Sequence, residues 1–296
     1  MPRSLLPLFV LCLCFVPASL PAEEPAVKEP NFDSNGVKIH YVVQGKEDGE
    51  PVLLIHGFTG NIDGQWAPVI KVLAKDYKII AFDCRGHGGS EKPHDPKKYG
   101  LEMSKDAIRL LDHLKIDKAH VAGYSMGGFI TFQIAARYPE RVRTATLGGA
   151  GLPLPGREKL YEALADSLEQ GKGIGPLIDA LTPKDRPKPT EAQIKAINAF
   201  IMANNDPKAL AAVMRGGFID KELPLTDEQI KGIKVPILAL IGADDPLRAG
   251  VDELKKQLPG LKVTVIDKAD HMTAFGRDEF VNGLKEFLDQ HRKAEK

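Results

Sequence analysis

The chain has 296 residues, 43% of them hydrophobic, enough to bury one large α/β core or two small ones. Its 40 basic and 40 acidic residues cancel. No long block of one sign occurs, so the attraction that nucleic acid or an anionic membrane would need is missing, and a small, near-neutral substrate is expected instead.

Residues 1 to 22 stand apart from the rest. Arg3 precedes the apolar run Leu5 to Leu20, and Val16-Pro17-Ala18 or Ala22 offers a small-residue cleavage site, which reads as a signal peptide for export to the periplasm or the medium. A membrane anchor is the competing reading. However, the run is shorter than the roughly 20 apolar residues that a spanning helix needs, and Pro7 and Pro17 interrupt it, so no stable membrane insertion is expected once the leader is removed. Bulky Leu11 and Leu13 before Cys12 and Cys14 speak against a lipoprotein anchor. Without the leader Cys84 is the only thiol, and no internal disulfide can form. Residues 23 to 30, charged and proline-containing, read as a linker.

The alternating segment Lys38 to Gln44 follows the turn pair Asn35-Gly36, as an early antiparallel hairpin does. Short, nearly continuous apolar runs come next: Val52 to Ile55, Lys78 to Phe82, His120 to Gly123, Thr144 to Leu147, Val235 to Ile241 and Val263 to Ile266. Such runs predict strands buried on both faces of a parallel sheet. Helical patterns lie between them, notably Ser104 to Leu114, Gly127 to Tyr138, Arg248 to Leu258 and Arg277 to His291. Because each parallel strand returns past a helix, this order predicts one mostly parallel sheet with helices on both sides. Residues 151 to 232 break the rhythm. Arg157 to Gln170, Thr190 to Asn204 and Pro207 to Arg215 are helix-like with no convincing strand among them, which predicts a helical insertion between core segments 31–150 and 233–296. Pro183 to Pro189, rich in proline and charge, reads as an exposed loop.

Gly123-Tyr124-Ser125-Met126-Gly127 sits where an apolar strand ends and a helical pattern begins. A bare G-x-S-x-G is an ordinary glycine-rich turn in many proteins, but between strand and helix it is the setting of a nucleophile elbow. There the serine is forced into strained backbone angles, its hydroxyl stands above the sheet, and the helix N-terminus favours developing negative charge. His56-Gly57-Phe58-Thr59-Gly60 follows another strand at the same edge. The Phe58 and Met126 N–H groups are therefore candidates for an oxyanion hole, in which each donor contributes about 3 kcal/mol. His56 itself is read as a brace for its loop.

Serine needs a neighbouring imidazole to take its proton. Of the eight histidines, His271 in Ala269-Asp270-His271-Met272 follows a strand at its C-terminal end, whereas His40, His94, His113, His120 and His291 lie in a hairpin, a loop, a helix, a strand start and the charged tail. The acid that orients it should follow another strand, as in Gly242-Ala243-Asp244-Asp245-Pro246. Neighbours in an extended chain face opposite ways, so only one aspartate can serve. Asp245 is chosen, with Asp244 left as a turn residue or a partner for Arg248.

Together these residues resemble the α/β-hydrolase superfamily, over nearly the whole chain after the leader. The order Ser125, Asp245, His271 is the one that family uses. The His56-Gly57 loop, Asp83-Cys84-Arg85-Gly86-His87-Gly88-Gly89-Ser90, and Gly242 with an aspartate three residues on are similar to its signatures. The resemblance implies a lid formed by residues 151 to 232, a bracing role for the Asp83 to Ser90 loop, and no metal or organic cofactor. Serine at the elbow resembles the esterases, lipases, lactonases, perhydrolases and carbon-carbon bond hydrolases, and differs from the dehalogenases and epoxide hydrolases, which carry aspartate there. The expected reaction is cleavage of a small carboxylic ester through an acyl-serine. A perhydrolase, lactonase, amidase or carbon-carbon hydrolase is the alternative within the fold, and a non-catalytic ligand-binding protein is the alternative outside catalysis.

Overall fold

The computed structural model describes residues 30–219 and 223–292. The leader and all but the last residue of the linker lie outside them. Eight strands form one sheet: β1 (Asn31–Asp33), β2 (Lys38–Gly45), β3 (Glu50–Ile55), β4 (Tyr77–Phe82), β5 (Ala119–Tyr124), β6 (Val142–Gly148), β7 (Ile237–Gly242) and β8 (Lys262–Ile266). They lie in the order β1-β2-β4-β3-β5-β6-β7-β8. The first two pairings, β1 with β2 and β2 with β4, are antiparallel, and the other five are parallel. The α/β architecture with a mostly parallel sheet is thus present, early hairpin included.

Alternation along the strands explains why both faces are covered. On β3, Leu53 and Ile55 join the cluster beneath α2 (Leu101–His113), α3 (Met126–Arg137) and α9 (Arg248–Gln257), which includes Leu110, Leu111, Ile134 and Leu254. Val52 and Leu54 join the opposite cluster, with Val69 and Leu73 of α1 (Ala67–Leu73) and Phe280 and Leu284 of α10 (Asp278–Asp289). A strand flanked by helices on both sides has no solvent face, so its sequence reads as unbroken apolar residues. The strand β8 departs from that expectation: it is the sheet's edge, Thr264 is exposed and Val265 is 41% exposed. An edge strand has a neighbour on one side only, and its residues there are less covered.

Between β6 and β7 lie α4 (Glu158–Glu169), α5 (Gly175–Leu181), α6 (Glu191–Asn204), α7 (Pro207–Gly217) and α8 (Asp227–Lys231), with no strand among the described residues. Three of these match the predicted segments. The short α1, α5 and α8 were not read from the sequence, nor was the π-helical turn Ile62–Trp66 that leads into α1. Among the described residues no helix is long and apolar enough to cross a membrane.

Register fixes which loops meet. Ile55 pairs with Gly123, Tyr124 with Gly148, and Gly242 with Ile266, so the C-terminal ends of β3, β5, β6, β7 and β8 form one edge. Everything that follows those strands, including Ser125, His56, Asp245 and His271, is gathered there.

Candidate active site

Ser125 follows β5 and occupies the N-cap of α3, with φ 53° and ψ −115°. No serine adopts these angles freely, and they persist because both flanks are packed against other backbone. A Cβ on Gly123 would overlap the Gly127 carbonyl, and one on Gly127 would overlap the Ile55 carbonyl. Only glycine lets the strand, the turn and the neighbouring strand approach this closely. The Ser125 N–H is fixed by donation to Gly148 O at 2.7 Å.

His271 Nε2 lies 2.9 Å from Ser125 Oγ, and His271 Nδ1 lies 2.8 Å from Asp245 Oδ2. The Asp245 carboxylate offers only acceptors, so Nδ1 carries the hydrogen and Nε2 is left to accept from the serine hydroxyl. Asp245 and His271 are 4% and 3% exposed, which shields this chain of hydrogen bonds from competing water. Asp245 Oδ1 accepts from Leu247 N at 2.8 Å, and Tyr124 OH donates to His271 O at 2.5 Å. Both ends of the relay are held.

Asp244 points elsewhere, as alternation requires. Its partner is Arg186 of the Pro183 to Pro189 loop, at 2.8 Å, rather than Arg248, which donates to Ala243 O. The same guanidinium reaches Asp270 at 2.7 Å, so one arginine of the insertion joins the residues that precede Asp245 and His271. Chain spacing carries no signal for this contact, because 58 residues separate Arg186 from Asp244.

The other candidate donors follow β3 and β5. Met126 opens α3, where the first N–H groups have no intrahelical acceptor. Phe58 follows Gly57, which lies beside Ser125: a Cβ there would sit 3.4 Å from the serine Cβ, in van der Waals contact. Gly57 N donates to Gln65 Oε1 at 2.7 Å, and Gly60 N to Gly57 O at 3.0 Å.

Behind this loop lies a buried network built around His56, Asp83 and Arg85. His56 is fully buried, its Nδ1 donates to Gly57 O at 2.8 Å and its Nε2 accepts from Cys84 N at 2.9 Å, so neither nitrogen is left for catalysis. Asp83 accepts from Ile62 N and Gly89 N and lies 2.9 Å from His40 Nδ1, which ties the turn after β4 to the segment leading into α1. Arg85 is equally buried and is paired twice with Asp106 of α2, at 2.6 Å each. The Asp83 to Ser90 loop therefore braces the loops around Ser125, as the resemblance implied. The pairings of His56 with Cys84, of Asp83 with Ile62 and His40, and of Arg85 with Asp106 could not be assigned from sequence alone, because each joins two different elements or loops.

Burial pushes His87 down to about 3 and also lowers His56 and His120. Each stays neutral in the folded protein at a pH where the unfolded chain, with an ordinary value near 6.5, binds a proton. The unfolded state therefore gains protons first as pH falls, and stability should drop below about pH 6.5, by about 1.4 kcal/mol between pH 7.5 and 5.5 from His87 alone. Urea midpoints at the two pH values check this. His87→Phe should reduce the drop, and an unchanged midpoint in the parent protein would contradict it.

The alpha/beta hydrolase fold family matches residues 50–174. A Bacillus subtilis (strain 168) protein provisionally named as a 2-succinyl-6-hydroxy-2,4-cyclohexadiene-1-carboxylate synthase is 30% identical over 251 residues, 80% of this chain and 89% of that one. The 2-hydroxy-6-oxo-6-(2'-aminophenyl)hexa-2,4-dienoic acid hydrolase of Metapseudomonas resinovorans is 32% identical over 237 residues, covering 75% of this chain and 76% of that one. Among solved structures, the enol-lactonase from Burkholderia xenovorans LB400 aligns with a TM-score of 0.72 at 26% identity, over 88% of this chain and 100% of that one. The chain belongs to the α/β-hydrolase fold family and is a hydrolase of that fold.

Proposed function

We propose that this protein is a serine hydrolase that cleaves carboxylic esters of small molecules through an acyl-serine intermediate, with Ser125, His271 and Asp245 as its catalytic residues. The observation that carries this reading is the unbroken relay of 2.9 and 2.8 Å from a serine held at φ 53° to a buried carboxylate. His271 Nε2 takes the hydroxyl proton while Ser125 Oγ attacks the carbonyl carbon. The Phe58 and Met126 N–H groups hold the resulting oxyanion. Collapse expels the alcohol, protonated by His271, and the same imidazole then activates water to release the acid. No step needs a metal or an organic cofactor.

Residues 151 to 232 act in this reading as a lid that excludes water and shapes substrate choice. The leader over residues 1 to 22 supports delivery to the periplasm or medium, which the N-terminus of the exported protein tests. The relation to an enol-lactonase agrees with ester chemistry, a lactone being a cyclic ester. Carbon-carbon bond hydrolysis is the second reading, favoured by the 32% identical hydrolase.

Purified protein should release p-nitrophenol from p-nitrophenyl butyrate with a burst close to one equivalent per active site, as deacylation limits turnover. Turnover of a dienoic carbon-carbon substrate without turnover of any ester would overturn the ester reading in favour of the second.

A further inference from the structure

A cavity of about 180 Å³ lies between α3 and the helical insertion, with Met126 among its lining residues. Resting on the proposed serine-hydrolase reading, we infer that this cavity is the acyl subsite and that it takes an apolar acyl group of about the size of a phenyl ring or a five- to six-carbon chain.

The side of the site is settled by proton transfer. The leaving oxygen must lie within hydrogen-bond reach of His271 Nε2 to be protonated. His271 does not line the cavity; Met126, the residue after Ser125, does. The part of the substrate that runs past Met126 along α3 is therefore the part that stays on the serine.

The wall sets the chemistry. Phe129 and Phe218 meet edge to face at 6.0 Å and Tyr161 lies 5.2 Å from Phe218, so an aromatic cluster closes one side, with Ile130 beside it. Two of the polar side chains in the lining, Gln133 and Arg157, are already engaged with protein partners. Gln133 donates to Leu223 O at 2.9 Å and accepts from Arg137 Nε at 2.8 Å, and Arg157 is bonded to Tyr161. A hydroxyl or carboxylate placed against the Phe129, Phe218 and Ile130 wall would lose its water without gaining a partner from it. An apolar group loses nothing, and an apolar cavity of about 150 Å³ is large enough for benzene.

The test is a kcat/KM series over p-nitrophenyl acetate, butyrate, hexanoate, benzoate and decanoate. Each methylene buried before the transition state should raise the rate up to about fourfold. Hexanoate and benzoate should exceed acetate by at least about tenfold, and decanoate should fall off. Ile130→Trp, which fills the cavity, should collapse the hexanoate-to-acetate ratio, and Phe218→Ala should move the optimum to longer chains. In a second series of butyrates with varied alcohols, Ile130→Trp should leave the order of preference unchanged.

A profile that is flat or falls from acetate, in protein that labels at Ser125 with a fluorophosphonate, would overturn the acyl-subsite inference and leave the serine-hydrolase reading standing. A changed alcohol preference in Ile130→Trp would overturn it as well. Folded protein that neither labels nor hydrolyses any of these esters would remove the hydrolase reading, and the subsite with it.

Discussion

Ser125→Ala is expected to lower kcat/KM for p-nitrophenyl butyrate by about 10⁴-fold or more, since removing a nucleophile that acts in concert with its base costs nearly the whole of what the group supplies. The residual rate would come from the Phe58 and Met126 donors and from substrate positioning. Alanine keeps the Cβ, so it tolerates φ 53° no worse than serine does, and the only side-chain bond lost is the one to His271 at 2.9 Å. Stability should therefore stay within about 1 kcal/mol, which a urea titration would confirm alongside the rate. A variant that folds and retains a tenth of the activity would mean that another residue attacks the ester.

Asp245→Asn is expected to cost about 10³- to 10⁴-fold in kcat with little change in KM. The asparagine amide would donate where the carboxylate accepts, and the imidazole would be driven to the tautomer that cannot take the serine proton. Asp244→Asn should cost less than about threefold, because Asp244 bonds Arg186 at a partly exposed site, where an ion pair contributes about 1 kcal/mol at most. The contrast between the adjacent aspartates is sharp because their opposite directions give one a buried imidazole partner and the other a partly exposed arginine. Equal losses in the two variants would contradict the assignment.

That contrast also shows what the sequence carries. Strand ends and the elbow are local patterns, so the sheet and the candidates Ser125 and His271 are legible in the sequence; the period of two allows only one of Asp244 and Asp245 to face the histidine, and the resemblance, through Gly242 and the order serine, acid, base, favours Asp245. Contacts across elements cannot. Asp244 seemed free for Arg248 four residues on, yet Arg186 of the insertion reaches it, because helix and loop packing places side chains that spacing does not.

His56 illustrates the same limit from the other side. Its bracing role was expected, but its acceptor bond from Cys84 N depends on how β3 and β4 pair in the sheet. The edge position of β8 was likewise hidden, since Lys262 to Ile266 is apolar enough for a central strand and only the strand order exposes it. The short helices were missed because seven residues or fewer give too little periodicity, and Pro68, Pro176 and Gly64 suggest turns instead. The cavity beside α3 is assembled from segments more than 100 residues apart, and no local pattern announces it.

The central claim, that Ser125 is the activated nucleophile, is tested most directly by incubating the folded protein with a fluorophosphonate and locating the adduct by mass spectrometry. The account predicts a single phosphonyl group on the peptide carrying Gly123-Tyr124-Ser125-Met126-Gly127, prevented by Ser125→Ala and slowed by competing ester. An adduct on any other residue, or no adduct on folded protein, would contradict it.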